Sequence, residues 1–260
     1  DQGTTGTTIV AVDRELNTVA SWYGTHAQHR TGPNRLEHDP LEILDGIVTG
    51  VAEILAKLGG EAGDVLVAGL ANQGETVCVF DTQTGLPVHR AIVWSDTRGG
   101  ETIEALSAAD RRELGRITGL QPDSYFSAPK YAWLLANVAE AGRAQREGRL
   151  ALGTLDSWLI WRLSPRRPFI TDASTASRTL LYDLREGGWS DTAAGLMKVR
   201  LGDLARIVPS CGSLATLADA RWGRRTLDLR ASLVDQPASL FAHGCWDPGQ
   251  TKITYGTGCF

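Results

Sequence analysis

The 260-residue chain predicts an α/β fold, a mixed β-sheet flanked by helices, on three observations. Apolar runs of strand length come first, in pairs joined by short polar turns. Segments of helical period follow and separate the later strands. Neither an internal repeat nor a low-complexity linker interrupts that order. Antiparallel hairpins followed by helical crossovers argue for a mixed sheet over a purely parallel one.

The opening reads as a hairpin: a polar turn over Gly3–Thr8, the apolar run Ile9–Val12, and a second strand near Val19–Tyr23. The clearest helix starts at Asp39, a good N-cap, with Pro40 at the first helical position and Glu42 three residues after the cap. Its apolar residues Ile43, Leu44, Ile47, Val48, Val51, Ile54, Leu55 and Leu58 keep helical spacing, and Gly59 and Gly60 end it. Val65–Leu70 reads as a buried strand, followed by strands at Thr76–Phe80 and Arg90–Trp94 around a turn at Thr82–Gly85. Helices are expected over Gly100–Ser107, Ala109–Ile117, Pro129–Glu147 and Thr154–Leu163. Arg178–Asp183 reads as a short strand, Leu233–His243 as a loop opening a helix, and Thr251–Tyr255 as a last strand.

Composition narrows the function. A net charge of -4 offers no electrostatic case for nucleic acid or an anionic membrane, so a small anionic ligand needs local donors. The basic stretch Arg221–Arg230 reads as a solvated surface. No apolar run approaches the roughly 18–20 residues of a membrane span, and no signal peptide is visible, so a cytoplasmic location is expected. Cys78, Cys211, Cys245 and Cys259 are widely spaced without a CxxC pair, which favours reduced thiols over a metal site or disulfides.

Six short constellations carry chemistry-bearing residues. Asp1-Gln-Gly-Thr-Thr-Gly-Thr-Thr8 combines glycines, which let backbone N–H groups approach a ligand, with hydroxyl donors suited to phosphate oxygens. A carboxylate beside such a turn can hold a divalent metal, though a plain hairpin turn has the same composition. Asn72-Gln-Gly-Glu75 and Trp94-Ser-Asp-Thr-Arg98 lie at strand ends, where α/β proteins bind ligands. Tyr125-Phe-Ser-Ala-Pro-Lys130 brings aromatics to a helix start, where they serve equally well as core. Asp235 in Val234-Asp-Gln-Pro-Ala238 suits either a partly desolvated general base or an ordinary N-cap. Tyr255-Gly-Thr-Gly-Cys-Phe260 repeats the Gly/Thr turn theme.

The order of these segments, together with Ile92-Val-Trp94, Gly153-Thr-Leu-Asp-Ser-Trp-Leu-Ile160 and Ser177-Arg-Thr179, resembles the FGGY family of carbohydrate kinases, most of all its glycerol kinases. Tyr125–Asn137, with Ser127, Lys130 and Trp133, resembles the family's first signature, from which Ala136 departs. The resemblance implies an actin-like ATPase, ribonuclease H-like fold whose two lobes close on ATP and an acceptor. It implies that Asp1, Gln2, Thr4, Thr5, Gly256 and Thr257 contact the ATP phosphates and that Asp1 positions Mg²⁺. It places Glu75, Trp94, Tyr125, Asp235, Gln236 and Phe260 around the acceptor, with Asp235 taking the hydroxyl proton. It divides the chain into a substrate-binding lobe over residues 1–245, lacking its first strand, and the start of a nucleotide lobe over residues 246–260. On this reading the chain alone is inactive and the whole enzyme phosphorylates a terminal hydroxyl of a small polyol. Its partners are then ATP and a small polyol or sugar, with room for a homo-oligomer and no role for nucleic acid or membrane.

Two positions depart from the glycerol kinases. Gly74 stands where they carry Arg, and Thr8 stands where they carry another. Losing a charged donor to a substrate hydroxyl costs roughly 1.5–3 kcal/mol, while the vacated space at Gly74 is expected to admit a longer polyol. A kinase for a longer polyol or a ketose, and a non-catalytic polyol-binding relative, therefore stand beside the small-polyol kinase.

Overall fold

The computed structural model describes residues 1–65, 67–255 and 259–260. Hairpin β1 (Gly6–Val12) and β2 (Thr18–Thr25) is followed by β3 (His29–Gly32), β4 (Arg35–His38) and α1 (Pro40–Leu58). Next come β5 (Ala68–Asn72), β6 (Val77–Asp81) and β7 (Ala91–Ile92). Helices α2 (Gly100–Glu104), α3 (Ala108–Thr118), α4 (Ser127–Asn137) and α5 (Ala139–Arg146) lead to β8 (Leu150–Thr154) and α6 (Leu155–Leu163). The remainder runs β9 (Ile170–Asp172), α7 (Ala173–Ala176), β10 (Tyr182–Asp183), β11 (Gly188–Trp189), α8 (Asp191–Leu196), β12 (Arg206–Val208), β13 (Cys211–Ala218), β14 (Thr226–Val234) and α9 (Asp235–Ala242).

Two sheets organise these elements. One is five-stranded and antiparallel, in the order β3-β4-β7-β6-β8. The other orders β13-β14-β5, with β13 antiparallel and β5 parallel to β14. Gln2 ties this second sheet to the β1–β2 hairpin, bridging Asn72 in parallel and Thr7 in antiparallel sense. Helix α6 lies between the sheets and is buried on nearly every side, from Leu155 through Trp158 to Leu163. Burial on nearly every side is what a position between two layers imposes, and the buried Asp156 is met there by a hydrogen bond from Thr171. Its Trp158, Leu159 and Leu155 pack with Phe80 and Ile43, while Ile160 joins Val48, Leu217 and Leu229. A third core, around Val77, Ile92, Leu114, Tyr131 and Leu134, fills the space between the five-stranded sheet and α3–α5.

Helix α1 forms as its sequence dictates. Asp39 Oδ1 accepts from Leu41 N at 2.9 Å, and Gly59 turns the chain at φ 55°. Other expectations need correction. The helix expected over Pro129–Glu147 is two, because Val138 is extended (φ -107°, ψ 106°) without a Pro or Gly to announce it. The strand expected over Arg178–Asp183 shrinks to Tyr182–Asp183, since Arg178 and Thr179 continue the turn after α7. The strands expected at Val65–Leu70 and Arg90–Trp94 are Ala68–Asn72 and Ala91–Ile92. In place of a strand over Thr251–Tyr255 there is one bridge, Tyr255 to Cys259, among the described residues.

A buried polar chain links β4 to the opening turn. His38 is fully buried, with Nε2 2.9 Å from Gln28 Oε1 and Nδ1 3.5 Å from Gln73 Nε2. The Gln28 amide donates onward to Thr4 O at 2.9 Å. A neutral imidazole with its proton on Nε2 satisfies both partners. Protonation would add a buried charge 4.4 Å from the ring of His26. Burial, followed by the nearby His26 and His29, pushes the His38 pKa from 6.5 down to about 3. The unfolded chain therefore binds a proton that the native state refuses between those values. Stability is full above pH 6.5 and falls as pH drops through that window, by up to ~5 kcal/mol. Urea unfolding at neutral and mildly acidic pH is expected to show a smaller acid loss for His38→Gln than for the wild type; an unchanged loss contradicts the assignment.

Candidate functional site

A cleft of about 350 Å³ opens where the carboxyl ends of β5 and β14 lie side by side. The parallel register pairs Val234 with Asn72, so the residues after each strand, Gln73-Gly74-Glu75 and Asp235-Gln236, become neighbours. Loop ends of parallel strands are the usual ligand position in α/β sheets. Thr4, Trp94, Tyr125, Arg178, Thr254 and Phe260 complete the lining.

Each wall residue is held from behind. Gln2 N donates to Ala71 O at 2.7 Å and Gln73 N to Gln2 O at 2.8 Å, which sets the Gly3–Thr5 turn against the cleft. Trp94 Nε1 donates to Thr4 Oγ1 at 2.8 Å, and its ring centroid is 5.6 Å from that of Tyr125. Lys130, fully buried on α4, donates from Nζ to the carbonyls of Ser124 (2.9 Å), Tyr125 and Phe126 (3.1 Å), fixing the loop that carries Tyr125. Val234 N donates to Ser174 Oγ at 2.9 Å, and Asp172 caps the helix that presents Ser174.

Two carboxylates face this space in different environments. Glu75 is buried in a left-handed backbone conformation (φ 59°), and Arg178 Nε donates to its Oε1 at 2.6 Å. A non-glycine residue in that region is uncommon and collects at functional sites. Burial raises the Glu75 pKa, against the opposing pull of Arg178 and Lys130. Asp235 is the first residue of α9 and does not cap it; Oδ1 accepts from Gln236 N at 2.7 Å. Burial raises its pKa too, with the Gln236 amide and Lys252 pulling the other way. Lys252 Nζ donates to Gln236 Oε1 at 2.6 Å. A half-desolvated carboxylate whose second oxygen has no partner among the described residues is equipped to accept a proton.

The cleft thus gathers Glu75, Trp94, Tyr125, Asp235, Gln236, Phe260 and Thr4 from far-apart segments. Asp1, Gln2 and Thr5 do not line it. Gln2 is buried and braces the turn, Nε2 donating to Gly3 O and Oε1 accepting from Gln73 Nε2 at 2.9 Å. Asp1 and Thr5 are exposed on the same turn. Gly256 and Thr257 lie outside the described residues. Asp96 and Arg98, expected near a ligand, are a buried structural pair: Arg98 Nη2 donates to Asp96 Oδ2 at 2.7 Å, Arg98 Nη1 contacts Glu37 at 2.9 Å, and Asp96 also holds Leu36 N. Arg178 stands in the segment Ser177-Arg-Thr179, but its role as a cation of the cleft is not legible there, because its partner Glu75 lies 103 positions away.

Among the described residues no group of three metal-ligating side chains occurs. A magnesium ion does not need one, since it takes one or two carboxylates and completes its shell with water and phosphate oxygens. The exposed Asp1 carboxylate beside the Gly/Thr turn fits that requirement.

Residues 1–242 match the family described as the FGGY family of carbohydrate kinases, N-terminal domain. The chain is 37% identical over 261 residues to a glycerol kinase of Rhizobium rhizogenes, covering 100% of this chain and 52% of that protein. It is 38% identical over 262 residues to a glycerol kinase of Bordetella pertussis, covering 100% of this chain and 51% of that one. The chain spans about half the length of the curated relatives it matches. Among solved structures, that of Plasmodium falciparum glycerol kinase with ADP matches at a TM-score of 0.93 and 30% identity, over 99% of this chain and 52% of that one. A xylulose kinase from Rhodospirillum rubrum matches at 0.86 and 20% identity, over 98% and 52%, which bears on the fold alone. The architecture is that of the actin-like, ribonuclease H-like ATPases. The chain belongs to the FGGY family of carbohydrate kinases, whose N-terminal domain it matches over residues 1–242.

Proposed function

We propose that this protein transfers the γ-phosphoryl group of ATP to a terminal hydroxyl of a small polyol bound in the cleft. The observation that carries this reading is the convergence of Glu75 and Asp235, two partly desolvated carboxylates of different environment, on one aromatic-walled space beside the Gly3–Thr5 turn. Phosphoryl transfer asks a protein chiefly for alignment, charge neutralisation and one group to deprotonate the nucleophile. Glu75, held by Arg178, accepts a hydroxyl of the acceptor, and Trp94, Tyr125 and Phe260 cover its carbon edge. Asp235 takes the proton of the reacting hydroxyl as its oxygen bonds to the γ-phosphorus and the bond from that phosphorus to the ADP oxygen breaks. The products are a polyol phosphate, ADP and one proton. Asp1 would hold a magnesium ion, which supplies neutralisation of phosphate charge when bound. Thr5 and the exposed backbone of the turn face the same phosphates.

In this reading residues 1–245 form the acceptor-binding lobe and residues 246–260 open a nucleotide lobe, in keeping with relatives about twice as long. No helix among the described residues is long and apolar enough to cross a membrane, and the need for ATP favours the cytoplasm. The experiment is acceptor-dependent ADP release by the full-length gene product with Mg-ATP, across glycerol, longer polyols, ketopentoses and gluconate. Substantial turnover with a polyol is expected. Turnover confined to ketopentoses or gluconate contradicts the polyol assignment, and silence with ligand binding still detectable contradicts catalysis.

A further inference from the structure

Gly74 and Val234 stand immediately beside the two carboxylates of the cleft, and both line it. A Cβ added at Gly74 would lie 2.9 Å from Val234 Cγ1, closer than side chains pack, and an ordinary 3.5 Å from Cγ2. Val234 cannot yield easily. It is buried, paired with Asn72 in the sheet, and its N–H is held by Ser174. A β-branched side chain also has little rotamer freedom. Among the described residues, the one cationic side chain lining the cleft is Arg178, whose Nε is committed to Glu75. Its guanidinium lies over the ring of Phe126 at 5.1 Å. The position a Cβ would take at Gly74 is therefore crowded by the valine methyls. Between Glu75 and Asp235 the wall consists of Gly74 and Val234, which offer methyl groups and no side-chain donor, while the amide of Gln236, next to Asp235, also lines the cleft.

We propose that Gly74 and Val234 are a matched pair that makes this wall apolar and selects a deoxy or C-methyl polyol, an acceptor with carbon where a fully hydroxylated polyol carries a hydroxyl. A hydroxyl pressed against the valine methyls gives up its water without gaining a partner, which disfavours it by roughly ten- to a hundredfold. The inference rests on the reading of the cleft as an acceptor site.

The test compares kcat/KM of the full-length protein for two pairs that differ by one hydroxyl: propylene glycol against glycerol, and butanetriol against erythritol. The deoxy member is expected to lead by about tenfold in at least one pair, the worth of a methylene or two in an apolar pocket. Parity in both pairs, or a lead for the hydroxylated members, overturns the inference and leaves the kinase reading intact. No phosphorylation of any acceptor overturns both. The Val234→Ala variant, whose Cβ sits at an ordinary 3.8 Å from the added Cβ, is expected to shrink the deoxy preference at least threefold, within the worth of lost methyl contacts. Gly74→Arg is expected to lower the folded yield in the native background and to be tolerated together with Val234→Ala. A Gly74→Arg single variant as stable as the wild type overturns the matched-pair geometry.

Discussion

Asp235→Asn in the full-length protein is expected to lower turnover by about 10²–10⁴-fold, the usual worth of a general base. The substitution is nearly isosteric. An amide oxygen can still accept from Gln236 N, the one hydrogen bond the carboxylate makes among the described residues, so the start of α9 should be unchanged. What disappears is the capacity to take a proton. The loss should fall on kcat, with the acceptor KM moved much less, because a group that acts at the reacting hydroxyl contributes mostly in the transition state. The wild-type enzyme adds a pH signature. Burial raises the Asp235 pKa above 3.8, so the base is ionised and active above that raised value. Turnover falls as pH drops through it. A variant with near wild-type turnover would remove Asp235 from the chemistry and leave it a hydroxyl acceptor.

The second large effect is structural. Lys130→Met is expected to destabilise the domain by about 3–5 kcal/mol, as breaking a buried charged interaction does. Methionine fills a similar volume but abandons the three carbonyls of Ser124, Tyr125 and Phe126 inside the protein. Burial, opposed by Glu75, Asp96 and Asp123, pushes the Lys130 pKa from 10.5 down to about 7. Between those values the unfolded chain holds a proton that the native lysine has lost. The wild type therefore gains stability as pH rises from about 7 towards 10.5, and the variant should lack that gain. Since the three carbonyls belong to the loop carrying Tyr125, the acceptor KM should rise as well. Denaturant unfolding across this pH range checks both statements; an unaltered midpoint and pH profile would show that the carbonyls find other partners.

What the sequence reveals follows the range of the interactions. Helix α1 is readable because its cap, proline and glycine stop act within a turn of their own positions. Strand β6 is readable because an apolar run bounded by turns needs no distant partner to identify it. Strand β14 escapes, although its end places Asp235: besides its neighbour β13 it pairs with β5, some 160 positions earlier. The split between α4 and α5 escapes for another reason: Val138 is an ordinary helix residue locally and becomes extended in its tertiary setting. At the site, Glu75, Trp94, Tyr125 and Asp235 stand out as polar or aromatic groups at strand and helix ends, and the resemblance to a known family orders them. The pairing of Arg178 with Glu75 and the crowding of Gly74 by Val234 were hidden, since both are contacts between segments remote in sequence. Asp96 and Arg98 mislead for the complementary reason. A carboxylate and a guanidinium two residues apart look like a site, but here they neutralise each other in the interior.

The central claim is that the cleft delivers a hydroxyl to ATP, and phosphorus NMR of the full-length protein with Mg-ATP and a polyol tests it most directly. The γ-phosphate signal should be replaced by that of a polyol phosphomonoester, with ADP forming in equal amount and only when the acceptor is present. Conversion of ATP to ADP and inorganic phosphate with no phosphomonoester, at a rate indifferent to the polyol, would instead mark a nucleotide hydrolase whose cleft has another purpose.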